Sequence, residues 1–433
     1  MHSRLFARIE ISIRIGRSGV LRRHIHNRVR ITRDVRYADE HERNVLDIYK
    51  PHPAVPPSPL EQLPTLLFVH GGMWMRGSKE QSVLSPWDVA YSTLSGLFGH
   101  VGNRIQYHDN SNKNQPGTSN IGVTMAAHGV TALVMNYRLA GGKYMTSTID
   151  AEGWTDGQKQ VMDVARSIAF SVEHVAKQQQ TGYYSNKRPN LYVCGHSAGA
   201  HLAAVALCHQ NYLEMAMKER NVDMNTLGGL LGGFIGISGV YNLRRLGMGA
   251  MKEITVGPSF LHAHAAPTKE DDEDTLIQFS PVHLLLQNHT DIESPKRCHL
   301  LRDKIPPMAN IATLLLNAES DFHLEQDAKE LMVALRQYKM NGSAPQVDHE
   351  MITSSDHLSI ISQVGSDIEQ VKASYDSVYL TKKRASLGWG LGSMTGSEYP
   401  NVVLESVASV FGLDGANKDS TSRRILEFIE DTQ

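Results

Sequence analysis

The sequence predicts an α/β fold, with a mostly parallel central sheet, helices on both faces, a cap-like insertion and a C-terminal extension. Three observations carry this. Short apolar runs at residues 65–69, 131–137, 191–194, 231–237 and 311–316 have the length and composition of buried strands. Helical periodicity falls between them, as at 157–178, where Val161, Val164, Ala165, Ile168, Val172 and Val175 form one stripe. Finally, Gly195-His196-Ser197-Ala198-Gly199 sits between the run at 191–194 and an apolar helical segment at 200–207. That order of strand, sharp turn and helix is the context of a nucleophile elbow.

Taken in chain order, residues 1–33 carry nine arginines and one acid, Glu10, with apolar residues interleaved. This is the composition of a mitochondrial transit peptide, or equally of a basic extension packing on the domain. Strand-like alternation begins at 35–37 and 45–49. A proline-rich loop (51–64) precedes the strand at 65–69, and helical spacing follows at 82–97. The segment 99–121, rich in Asn, Gly and Ser, is expected to be a polar surface insertion. A second insertion is expected at 240–307, where a cap over the site can grow. Its acidic run at 270–274 has no ligand-spaced histidine and reads as solvated surface. A helix is expected at 329–338 and a strand at 346–352, followed by a turn at 353–357. The expected domains are therefore 1–33 as extension, 34–380 as the catalytic domain and 381–433 as a C-terminal extension, free to dock or to mediate association.

The chemistry lies at the strand ends. Ser197 is the candidate nucleophile, with Gly195, His196 and Gly199 completing its elbow. Small residues there allow strand and helix to approach, and Ala198 opens a helix whose first N–H groups face a developing oxyanion. His70-Gly71-Gly72-Met73-Trp74 follows the strand at 65–69, the place of an oxyanion loop, with Met73 where an HGGG motif has its third glycine. Removing one oxyanion donor typically slows such reactions by about 10²–10³. The acid should come next, and Asp321 follows the strand at 311–316 with Glu319 as competitor. An acid there lies on the carboxyl edge of a parallel sheet, where ligands bind. His357, in the turn after the strand at 346–352, is the candidate base, whereas His349 lies within that strand. Among 21 histidines, His357 is the one so placed. In this arrangement His357 takes the Ser197 proton, Asp321 holds the imidazole tautomer, and an acyl-enzyme forms and is hydrolysed.

Bulk properties narrow the class. A chain of 433 residues with a net charge of −2 gives no sign of a nucleic-acid partner. Its cysteines, Cys194, Cys208 and Cys298, form no disulfide framework. No stretch approaches the roughly 20 apolar residues of a membrane span. A soluble, non-secreted protein of the cytoplasm or mitochondrion is expected. It would act on a small molecule without metal or organic cofactor, and homo-oligomerisation stays open.

The blocks HGGMWMRGSKE (70–80), SIAF (167–170), YVCGHSAGAHLAA (192–204) and SGVYNL (238–243) together resemble kynurenine formamidase, or arylformamidase, of the esterase/lipase branch of the α/β-hydrolases. The resemblance covers roughly 35–365 in scattered blocks. It implies an α/β-hydrolase fold and hydrolysis of N-formyl-L-kynurenine to kynurenine and formate, in tryptophan catabolism. The small formyl group would need little space, and the aromatic amine a larger apolar pocket bordered by Met73 or Trp74. The family places tyrosine or another residue at Met73, so fine specificity stays open. Carboxylesterases and prenylcysteine methylesterases share GxSAGAH and a glycine-tryptophan loop, and an ester substrate is the alternative. A hydrolase-fold receptor that binds without turnover is the reading from another class, and the presence of every triad member speaks against it.

Overall fold

The computed structural model describes residues 29–51, 63–74, 77–80, 119–139, 156–181, 190–246, 276–290, 305–338, 345–357, 359–362, 364 and 420–432. Eight strands form one sheet: β1 (Arg30–Arg36), β2 (Val45–Lys50), β3 (Thr65–Val69), β4 (Thr131–Met135), β5 (Leu191–His196), β6 (Leu231–Ile237), β7 (Ala312–Ser320) and β8 (Val347–Asp356). Their order across the sheet is β1-β2-β4-β3-β5-β6-β7-β8. β2 pairs antiparallel with β1 and β4, while β3 to β8 are all parallel. This is the strand order of the α/β-hydrolase fold.

The central strands are buried on both faces, which is why they read as continuous apolar runs. Alternate side chains feed two cores. On one face Leu67, Val69, Val193 and Phe234 pack under α2 (Asp156–Thr181), α3 (Ala198–Cys208), α4 (Gln210–Glu219) and α6 (Leu324–Arg336). On the other, Leu66, Phe68, Tyr192, Cys194 and Ile235 meet α1 (Asn120–Ala127) and α7 (Ser420–Thr432). Every residue of the α2 stripe is buried. At the outer edge, β1 alternates exposed and half-buried residues and places Arg30, Asp34 and Arg36 outward, charges that discourage edge pairing.

Several boundaries differ from the sequence expectations. β1 starts at Arg30, so the last residues of the expected 1–33 extension belong to the sheet; 1–28 lie outside the described residues. Of the polar insertion expected at 99–121, residues 99–118 lie outside the described residues, and 119–121 do not belong to a polar surface loop. The Ser119 hydroxyl accepts the Gly122 N–H and starts α1, whose eight residues are all buried. In the region expected as a cap, Val240, Leu243, Phe279, Val282, Leu284 and Leu285 are buried in the main core. This includes α5 (Pro281–Thr290); the acidic run at 270–274 and the helix expected at 82–97 lie outside the described residues. Helix α6 begins five residues before the expected 329, and β8 runs on to Asp356 through the expected turn. Among the described residues no helix is long and apolar enough to cross a membrane, and no group of His, Cys, Asp and Glu could hold a metal ion.

Of the expected C-terminal extension, 381–419 and 433 lie outside the described residues, and helix α7 packs into the domain. Ile425, Phe428 and Ile429 recur at helical spacing and are all buried. The Phe428 ring meets Tyr192 edge-on at 6.3 Å, and the Tyr192 hydroxyl donates to the Ile429 carbonyl at 3.2 Å. A Cβ on Gly233 of β6 would lie 2.9 Å from the Phe428 ring, so strand and helix are in close contact. Phe428→Ala should therefore destabilise the whole domain by about 3–5 kcal/mol, as loss of a buried aromatic does. Urea denaturation followed by tryptophan fluorescence measures this, and an unchanged midpoint would contradict docking of α7.

Candidate active site

Five strand ends converge at the carboxyl edge of the sheet. Ser197 follows β5 at φ 52°, ψ −122°, a conformation an L-residue avoids. It is held there on every side. Its N–H donates to the Ile237 carbonyl (2.9 Å), and its own carbonyl accepts from His201 N–H (3.1 Å). A Cβ on Gly199 would lie 2.2 Å from the Val69 carbonyl oxygen, so only glycine lets α3 pass beneath the loop that follows β3. The Gly71 backbone abuts the elbow from the other side, since a Cβ there would lie 3.2 Å from Ser197 Cβ. The Gly71 backbone and the first residue of α3, Ala198, thus border Ser197 from two sides.

His357 comes one residue after β8. Its Nδ1–H donates to Asp321 Oδ1 at 2.6 Å, which leaves Nε2 to accept the Ser197 hydroxyl proton at 2.9 Å. Burial alone would raise the Asp321 carboxyl. The hydrogen bond and charge of His357, with the Asn317 amide, outweigh it and hold the group below the usual carboxylate range. The second carboxylate oxygen accepts from Asn317 Nδ2 (2.8 Å) and Ala318 N–H (3.2 Å). Asn317 Oδ1 accepts in turn from His349 Nε2–H (3.1 Å). His349 lies within β8, as its sequence position implies, and reaches the site only through that amide. Asn317 carries no motif; its one sequence signal is a polar residue closing an apolar strand four positions before the acid.

Glu319 does a different job from Asp321. β8 bulges between Ile352 and Asp356 opposite Ala318 and Ser320, and Ser354 takes φ 54° there. The Glu319 carboxylate accepts the Ser354 N–H at 2.7 Å and caps the bulge that carries His357 forward.

The loop after β3 is braced from below. Tyr137 stacks on His70 at 4.4 Å and donates to its carbonyl (3.2 Å), while His70 Nδ1–H donates to the Gly71 carbonyl (2.7 Å). Met73 and Trp74 both take left-handed backbone conformations, at φ 55° and 61°. Met73 or Trp74 is expected from the sequence to border the substrate, and Trp74 packs in the core. It is 2% exposed, and its indole N–H donates to His201 Nδ1 (3.2 Å). The left-handed turn directs it behind the loop. Met73 is half-buried against the same core. His196 Nε2–H donates to the carbonyl of His357 at 2.9 Å, fixing the backbone of the proposed base. Burial pushes His70 and His196 down to about 3 and His201 down to about 4, so all three are neutral hydrogen-bond donors.

No family model matches the chain. It is 27% identical over 217 residues to a "Probable isoprenylcysteine alpha-carbonyl methylesterase" of Oryza sativa subsp. japonica, covering 50% of this chain and 37% of that protein. A relative of the same description from Arabidopsis thaliana is 23% identical over 307 residues, covering 69% and 46%. The chain spans less than half the length of these curated relatives. Among solved structures, a carbohydrate esterase from gut microbiota is 13% identical with a TM-score of 0.43, covering 80% of this chain and 96% of that one. Esterase B of Lactobacillus rhamnosis is 13% identical with a TM-score of 0.44, covering 88% and 94%. In sequence the chain is thus similar to methylesterases.

Two outcomes follow from the geometry. Asp321→Asn should lower turnover by about 10⁴-fold by upsetting the His357 tautomer, whereas Glu319→Gln should retain most activity. Steady-state kinetics on any turned-over substrate decides, and the reverse pattern would reassign the acid. The buried histidines set a pH dependence. Their folded pKa values lie below the unfolded value near 6.5, so the unfolded chain gains protons first as pH falls. Stability is complete above about pH 6.5 and should decline below it by up to about 1.4 kcal/mol per pH unit for each ring. Denaturant midpoints at pH 7, 6 and 5 should fall in that order, and a flat profile would contradict neutral burial.

Proposed function

We propose that the protein is a serine hydrolase of carboxylic esters, working through Ser197, His357 and Asp321. The observation that carries this reading is the continuous hydrogen-bond chain from Ser197 Oγ through His357 to Asp321, beside the Gly71 backbone. His357 Nε2 takes the hydroxyl proton as Ser197 attacks the ester carbonyl. The N–H groups of the Gly71-Gly72 loop and of Ala198 receive the negative oxygen of the tetrahedral intermediate. Asp321, kept ionised by its three donors, stabilises the imidazolium. His357 then protonates the departing alcohol, and water attacks the acyl-enzyme by the same route. His357 passes the Ser197 proton to the departing alcohol and later returns a proton from the attacking water to Ser197, and the cycle proposed here draws on neither metal nor organic cofactor.

Similarity to methylesterases supports an ester over an amide. Hydrolysis of an aryl formamide would use the same residues, and the sequence blocks shared with arylformamidases favour it as the second reading. Of the two residues expected to give it an aromatic or sulfur contact, Met73 and Trp74, the Trp74 ring lies in the core. Purified protein should hydrolyse unactivated carboxylic esters with a higher kcat/KM than it releases kynurenine from N-formylkynurenine. Product quantification at equal enzyme concentration tests this. Kynurenine release faster than cleavage of every ester would establish the formamidase reading instead.

A further inference from the structure

Phe322 follows Asp321 directly, yet none of the bonds that orient that carboxylate involves it. Its side chain is 55% exposed, one of five exposed large apolar side chains among the described residues. A single exposed phenylalanine needs no explanation on its own. This one combines exposure with two further features. Its backbone has φ 48° and the next residue, His323, has φ 64°, so two consecutive side-chain-bearing residues occupy the left-handed region. The turn is closed by Leu324 N–H to the Asp321 carbonyl (2.8 Å) and Gln326 N–H to the His323 carbonyl (3.2 Å). And the Phe322 ring meets the His357 imidazole edge-on, with centroids 5.3 Å apart. Backbone strain of this kind persists where its neighbours hold it, and it gathers at functional sites. Here it holds an apolar ring in solvent beside the proposed base.

In the cycle proposed above, His357 Nε2 protonates the leaving group, so that group must come to rest against the imidazole. Phe322 touches that same imidazole. We propose that Phe322 is a specificity-determining residue, whose ring packs against an apolar and preferably aromatic leaving group. The preferred substrates are then esters of apolar alcohols or phenols. This inference rests on the ester-hydrolase reading and deepens it.

Two ester ladders separate the sides of the site. One holds the acyl group at acetyl and varies the alcohol from methyl through butyl to benzyl. The other holds the alcohol at methyl and varies the acyl group from acetyl through butyryl to phenylacetyl. In the wild-type protein kcat/KM should rise along the alcohol ladder. Phe322→Ala should lower the benzyl-to-methyl ratio by about three- to tenfold, the range of one aromatic contact. Phe322→Leu should restore part of it, and the acyl ladder should keep its slope in both variants. An unchanged benzyl-to-methyl ratio in Phe322→Ala would overturn the inference. So would an equal fall for every ester, which is the mark of a residue that only steadies His357. Failure of the wild-type protein to cleave either ladder would overturn the ester-hydrolase reading, and this inference with it.

Discussion

Ser197 occupies a backbone conformation that costs roughly 1–3 kcal/mol, and most of the site is arranged around keeping it there. The sheet contributes through the bond from Ser197 N–H to Ile237, which extends the β5–β6 ladder one residue past the strand. The helix contributes through His201, whose N–H donates to the Ser197 carbonyl at the start of α3. Gly199 lets that helix start press against the carbonyls of Val69 and His70, which links the elbow to the loop after β3. The strain is therefore shared among three elements. It points the Ser197 side chain out of the sheet edge, where His357 can reach it.

The electrostatics follow a similar economy. His70, His196 and His201 are buried, and each places a ring N–H on a backbone carbonyl, of Gly71, His357 and Phe279 respectively. Burial keeps these rings neutral. That matters for His357, whose imidazole becomes cationic in the proposed cycle with the His196 ring 5.0 Å away. A charged neighbour at that distance would oppose the proton transfer, whereas a neutral one contributes only a hydrogen bond. Asp321 supplies the one carboxylate on the His357 ring, and its second oxygen is occupied by Asn317 and Ala318. The carboxylate cannot rotate away without breaking those bonds.

The strand cores and the elbow were legible in the sequence because fully buried parallel strands are uninterrupted apolar runs, and because Gly195 and Gly199 flank a serine at a strand end. Chain order and strand-end position brought Ser197, Asp321 and His357 forward, and the three are hydrogen-bonded with His357 between Ser197 and Asp321. What escaped depends on tertiary contacts. Trp74 has the composition of a pocket residue, and only the left-handed turn at Met73 and Trp74 shows that it packs inward. Ser119 closes a polar stretch and reads as loop until its hydroxyl caps a buried helix. The β8 bulge has no local signature, since Thr353 and Ser354 suit a turn as well as a strand; the Glu319 carboxylate stabilises it from the neighbouring strand. Helix α7 lies some 190 residues beyond the sheet strand whose glycine it covers, a distance at which sequence periodicity shows the apolar face but not its partner.

The central claim is that Ser197 is a nucleophile activated by His357. Treating the folded protein with a fluorophosphonate and mapping the adduct by peptide mass spectrometry tests it directly. The expected result is one modified residue, Ser197, with labelling lost in His357→Ala. A wild-type protein that stays unlabelled, or that carries the adduct on another residue, would contradict the claim.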